Sequence, residues 1–282
     1  TMKNISKLFV GILFSALVMA PSYAGEMSVT GGATATYTTN GDDASAGKNL
    51  GISNELDFTA EGELENGYTW KYQVQLDGTG SANDDTRLEI GTDMGTIGLY
   101  VTEGGMSAEL AHGVGALGTG FDYASPSTFV TSYDVDGYSN IQYHTPADLL
   151  PFGIGLKIGY VPNMSATTQL SAKESDTTIT TQSEGRTLQM AQISAAPIDG
   201  LSIKGDVATT DSEGGDANGD DGVSANLGAK YTIGQVSVGY TEGGYQAATG
   251  NTGADETVYY ENKFYVIQFD VNDQVSVSYN VD

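Results

Sequence analysis

The chain has 282 residues, 0 Cys, 38 Gly and 36 Asp+Glu against 11 Lys+Arg, a formal net charge of −25. Without cysteine it cannot be held by disulfides. So acidic a chain excludes a duplex nucleic acid as partner, which needs the opposite sign. Its hydrophobic share of 39% is below the usual globular level and suits a wall with one wet side and long polar loops.

In chain order, residues 1–24 read as a cleavable secretory signal. Lys3 and Lys7 form a basic start, Leu8 to Ala20 is an apolar run short of a bilayer span, and Ser22-Tyr23-Ala24 offers small residues before a cut. Removing it leaves 9 basic residues against the same 36 acidic ones, a net charge of −27. No later apolar stretch reaches helical spanning length, which excludes a helical membrane protein.

Thirteen strands are predicted over 27–38, 50–62, 67–77, 86–92, 95–103, 137–146, 153–161, 186–196, 200–209, 222–232, 235–242, 256–270 and 274–282. The clearest is Tyr68 to Asp77, where every even position is apolar or aromatic and every odd one polar. Successive strand side chains point to opposite faces, so this segment has one apolar and one wet wall. Short connections follow the second, fourth, sixth, eighth, tenth and twelfth strands. Long ones, rich in Gly, Asp, Ser and Thr, fall at 39–49, 78–85, 104–136, 162–185, 210–221 and 243–255. Strict alternation of long and short puts all long loops on one side of an up-and-down barrel. A soluble sandwich with Greek-key crossings has no reason for it.

The apolar sets include Leu56/Phe58, Tyr68 to Leu76, Ile97/Leu99/Val101, Ile154 to Tyr160, Leu201/Ile203/Val207 and Val275/Val277/Tyr279. The other face carries Asp57, Lys71, Gln73, Arg87, Glu89, Lys157, Lys204, Asp206, Asn226 and Lys230. Tyr37, Tyr160 and Tyr240 fall near long-loop ends, Tyr143 and Tyr231 near short-turn ends. Two such rings around an aliphatic band are what membrane interfaces favour. Two strands fit poorly. Leu188 to Ile193 changes phase, which suggests a bulge, and Phe264 to Ile267 is apolar on both sides, as at a subunit contact.

The signal Phe14 to Ala24, the opening Met27 to Gly32, the hairpin Leu56-Asp57-Phe58 to Trp70-Lys71-Tyr72, Asp85 to Gly91 and Ser139 to Pro146 together resemble a Gram-negative general diffusion porin of the alphaproteobacterial type. The resemblance spans nearly all of residues 25–282. It implies an all-β fold, an antiparallel up-and-down transmembrane β-barrel of sixteen strands, usually trimeric, with the third long loop, 104–136, folded into the pore. In such a loop Glu109, Asp122, Asp134 and Asp136, with Glu103 at its start, become the acidic constriction residues. Lys71 and Arg87, and more weakly Lys157, Lys204 and Lys230, become the basic wall. Thirteen strands cannot close such a barrel, and the end Tyr279-Asn280-Val281-Asp282 lacks the terminal aromatic of the family. The expectation is a truncated record, with about three strands beyond residue 282.

Such a protein needs no nucleophile or cofactor, only a width and a field, and side-chain charge sets ion preference. The expectation is passive diffusion of ions and small hydrophilic solutes across the outer membrane, with cations favoured, in a homotrimer surrounded by outer-membrane lipid. No catalytic residue and no enzyme activity are expected. Asp211 to Asp221 contains Asp216, Asn218 and Asp220, oxygen donors that would collect Ca2+ only loosely, since no EF-hand glycine spacing or flanking helix accompanies them. His112 and His144 sit in no hydrolase arrangement, and Gly113 to Gly118 lacks the strand-to-helix setting of a nucleotide loop. Two other readings compete. A substrate-selective channel would need inward aromatics, and mostly small polar residues are predicted there. A secreted β-rich adhesive protein would have no need of the sidedness of loops.

Overall fold

A computed structural model describes residues 25–38, 49–77, 82–108, 133–146, 148–164, 186–211, 220–248, 259–272 and 275–281. The signal reading, 1–24, lies outside them. The chain divides into two compact units, Thr1–Asp93 and Met94–Asp282. In the first, β1 (Glu26–Thr38), β2 (Asn49–Glu63), β3 (Thr69–Asp77) and β4 (Ala82–Thr92) pair antiparallel in chain order.

The second unit continues the same pattern with β5 (Gly95–Val101), β6 (Asn140–His144), β7 (Gly155–Val161), β8 (Leu188–Ala195), β9 (Leu201–Thr210), β10 (Gly222–Ile233), β11 (Val236–Gln246), β12 (Tyr259–Asn272) and β13 (Val275–Val281). Each pairs antiparallel with the next. All thirteen predicted strands are therefore present, with ends shifted by a few residues. No helix among the described residues is long and apolar enough to cross a membrane.

Directly paired residues share a face, so the register sorts the side chains. In the first unit one face carries rows such as Val29–Phe58–Val74, and the other carries Thr59–Gln73–Arg87 and Glu61–Lys71–Glu89. In the second, Ile158–Ala191–Val207–Ala225 is a row on the apolar face. That face is bare: Ile158 is 50% exposed, Leu227 57% and Ile267 51%. Aligned exposed aliphatics on this scale mark a surface that meets something other than water.

The buried residues lie on the opposite face. Met106, Val135, Val161, Met164, Leu188, Met190 and Ala208 form one apolar cluster, with Tyr133 and Tyr138 packed on it. Leu188, Met190 and Ala208 come from the strands, and Met106 and Val135 come from the connection between β5 and β6. The described ends of that connection thus lie on the inner face of their own sheet and give it a core.

Of the two strands that fit poorly, one expectation needs correction and the other stands. The phase change over Leu188 to Ile193 is not a bulge, because β8 runs in unbroken register with both β7 and β9. Leu188, Met190 and Gln192 all face inward, and the first two are apolar because the connection covers them. Register shifts fall instead between Val74 and Leu76 on β3 and between Asp270 and Asn272 on β12. The run Phe264 to Ile267 is apolar on both sides, with Tyr265 and Ile267 exposed on one face and Val266 buried on the inner one.

Candidate functional site

Three inward rows build the site, each read across the paired strands. The row nearest the long loops is Val161–Leu188–Thr210–Gly222. Below it runs Gln142–Gly159–Met190–Ala208–Ser224–Tyr245–Tyr260. Below that runs His144–Lys157–Gln192–Asp206–Asn226. The first two rows supply apolar and small side chains, and the third supplies polar ones. The described ends of the long connection, 102–108 and 133–139, lie across them.

The apolar contact is close. Gly159 leaves space that a Cβ would lose, since such an atom would stand 2.8 Å from Met106 Sδ and 3.1 Å from Val135 Cγ1. Glycine inside a strand marks such an approach.

The polar contact is made mostly to backbone. Asp134 gathers three donors: Met106 N at 2.8 Å, Ser107 N at 2.7 Å and Val135 N at 2.7 Å. Its carboxylate therefore ties the two ends of the connection together. Asp206 on β9 accepts from Ala108 N, and the Asn226 amide donates to both its oxygens at 3.1 and 3.2 Å. Gln192 donates to the Met106 carbonyl, and Lys204 Nζ donates to the Ser107 carbonyl at 3.3 Å. On β6 the Asn140 amide nitrogen lies 3.0 Å from the carbonyls of Glu103 and Val135 and 3.1 Å from that of Tyr138. Gln142 donates to Gly104 O and to Asn140 Oδ1, and its own oxygen meets His144 Nε2 at 2.7 Å. His144 stacks on the inward Tyr100 with ring centroids 6.1 Å apart. Buried backbone donors and acceptors need partners, and here the sheet supplies them.

Of the expected constriction acids, Glu109 and Asp122 lie outside the described residues. Asp134 is a clamp as well as a charge. Asp136 is exposed beside it, and both carboxylates approach Gly105, where a Cβ would sit 3.2 Å from Asp136 Oδ2 and 3.5 Å from Asp134 Oδ2. Glu103 contributes its carbonyl to Asn140. Of the expected basic residues, Lys204 touches the connection, Lys157 shares the row of Gln192 and Asp206, and Lys230 lies on the inner face paired with Ser202 and Gly239.

Lys71 and Arg87 belong to the first unit. Lys71 is paired between Glu61 and Glu89, and Arg87 donates to Gln73 Oε1, whose amide donates to Asp57 at 2.9 Å. Asp216 and Asn218 lie outside the described residues. Asp220 is described, and no group of three or more metal-binding side chains occurs among the described residues.

Residue-by-residue reading of the sequence placed Asp206 and Asn226 on the inner face without a role. It missed Asn140, Gln142 and Gln192 as anchors. It also expected few inward aromatics, whereas Tyr100, Tyr245 and Tyr260 face inward and Tyr133 joins them from the connection.

An antiparallel sheet in simple chain order, apolar outside, with its third long connection folded onto a polar inner face, is the architecture of the outer-membrane porins. No family profile matches the chain, and no curated protein matches it by sequence. Solved structures do match by fold. The anion-selective porin of Comamonas acidovorans is similar with a TM-score of 0.55 at 15% identity, covering 90% of this chain and 78% of that one. OmpT, an outer membrane protein of Vibrio cholerae, gives 0.56 at 15% identity, covering 90% and 73%. OmpF of Salmonella typhi, in complex with daunomycin, gives 0.51 at 16% identity, covering 93% and 80%. The chain has the fold of an outer-membrane general porin.

Proposed function

We propose that this protein is a passive outer-membrane channel for ions and small hydrophilic solutes, that it prefers cations, and that it works as a homotrimer. The observation that carries this reading is the latched connection. A loop whose described ends are tied together by Asp134 and held on the lumen wall by Asp206, Asn140, Gln142 and Gln192 narrows a water-filled passage without any chemistry. Solutes are then sorted by width and by field. The preference for cations follows from charge. Asp134, Asp136 and Asp206 stand at or beside the latch, and the chain as a whole carries −25. Fold alone does not fix this sign, since one neighbour of the same fold is anion-selective.

Glu109 and Asp122, which belong to the same connection, are proposed to face the passage, with Lys71 and Arg87 as part of the basic lumen wall. Ca2+ is proposed only as a loose visitor to the loop at 211–221. The trimer is supported by a trimer form of the Vibrio cholerae neighbour and is checked by the mass of the detergent-extracted particle.

Planar-bilayer recording of the protein tests the function. Stepwise ohmic currents with a reversal potential on the cation side of zero are expected. Silence from correctly folded protein, or an anion preference, overturns the corresponding part. Glu109→Gln with Asp122→Asn should move the reversal potential toward zero, and an unmoved potential removes those two from the passage.

A further inference from the structure

Beside the latch, at the long-loop end of the second unit, the lumen wall holds a cleft of about 430 Å³. Among the described residues it is lined by Tyr133, Tyr138, Tyr245, Asp134, Asp136 and Arg186, with a few small neighbours. Its size lies in the range of small-molecule sites, and its lining sets aromatic rings beside charges of both signs and is more polar than apolar.

The aromatic wall is preorganised. Tyr133 is fixed at three points: its backbone N donates to Ser224 Oγ at 3.1 Å, its hydroxyl accepts from Ala248 N at 3.0 Å, and its ring meets Tyr245 with centroids 5.1 Å apart. Tyr245 is backed in turn by Tyr260 at 6.4 Å. Gly222 makes room for this, because a Cβ there would lie 2.3 Å from the Tyr133 hydroxyl. The charges are of both signs. Asp134 is held by its three backbone donors, and Asp136 is exposed next to it. Arg186, at the entry to β8, makes no ion pair among the described residues.

We propose that this cleft is a recognition subsite for small zwitterions that carry an aromatic group, with the aromatic α-amino acids as the type. The inference rests on the channel reading and adds a stopping place along the passage. The carboxylate of the solute meets Arg186, its ammonium meets Asp134 and Asp136, and its ring lies against Tyr133 and Tyr245. An anion faces two carboxylates there, and a cation faces a guanidinium. A neutral sugar uses the tyrosines and leaves the charges idle. Only a zwitterion satisfies both signs at once, and aromatic contact adds the apolar share.

The test is planar-bilayer recording of the full chain with L-tryptophan as the probe. Concentration-dependent interruptions of the open current are expected. Tryptamine and indole-3-propionate, each with one of the two charges, should bind about tenfold more weakly, as expected for one lost charged hydrogen bond. Arg186→Gln should weaken L-tryptophan about tenfold and leave tryptamine no weaker. Tyr245→Ala should weaken L-tryptophan several-fold and leave the feeble effect of glycine unchanged.

Absent interruptions, equal binding of the three indole probes, or an Arg186→Gln variant with unchanged L-tryptophan affinity each overturn the subsite. The ohmic steps in the same traces keep the channel reading intact in those cases. Absent steps strike the channel reading instead, and calorimetry of L-tryptophan with the detergent-folded chain then decides the subsite by the presence or absence of binding heat.

Discussion

The inner faces of the two units share one alternation rule and have opposite fates. Across β2 to β4 the inner face is a polar ladder, with Asp57, Gln73, Gln75 and Arg87 bonded to one another and half-exposed. Across β7 to β9 the same parity carries Val161, Leu188, Met190 and Ala208, nearly or fully buried. The strand period says which side a residue faces, and the covering segment says what that side must be made of. Where the described ends of the connection between β5 and β6 lie on the sheet, its inner face becomes a protein core.

That contrast can be broken by mutation. The largest effect is expected from Leu188→Ala, which opens a cavity in the covered face and should cost about 2–5 kcal/mol of folding stability in urea titrations from lipid vesicles. Loss of less than about 1 kcal/mol would show that the covered face is not a core. Asp134→Ala comes next. It removes one acceptor shared by three backbone donors at a half-buried carboxylate that water can reach, and should cost about 1–3 kcal/mol in all. The connection should become a site of rapid proteolysis, and the open current should grow larger and noisier. Gly159→Val should force the connection off the wall at about 1–3 kcal/mol, the usual scale of overpacking, and raise the conductance more gently than Asp134→Ala. The smallest effect belongs to the uncovered face. Gln73→Ala removes a half-exposed amide from the polar ladder and should change stability by about 1 kcal/mol or less while leaving the current noise as it is. If Gln73→Ala matched Leu188→Ala, the two faces would not differ as described.

Much of this molecule was legible in its sequence. Most of the thirteen strands were readable because they carry a period of two, and the sidedness of the loops showed in their alternating lengths. That the connection 104–136 folds inward was implied only by the resemblance to porins, and its described ends do lie on the inner face. What escaped was any pairing across long separations. Asp206 receives Ala108 N from 98 residues away, and Gln192 reaches a carbonyl 86 residues away. No local pattern encodes such a meeting. The apparent phase error over Leu188 to Ile193 was the one local sign of it. Apolar residues on a face otherwise polar meant that something covers that face, and the true reading was a lid rather than a bulge. The cleft escaped for a related reason, since Tyr133, Arg186 and Tyr245 come from three separate elements and none belongs to a motif.

The latch has an evolutionary consequence. The wall side chains grip main-chain atoms: the amide of Ala108 and the carbonyls of Glu103, Gly104, Met106 and Ser107. Every residue type except proline offers the same handles. Substitutions along 103–108 can therefore change side-chain character, acid for base or small for bulky, while the mooring of this segment to the sheet stays as it is.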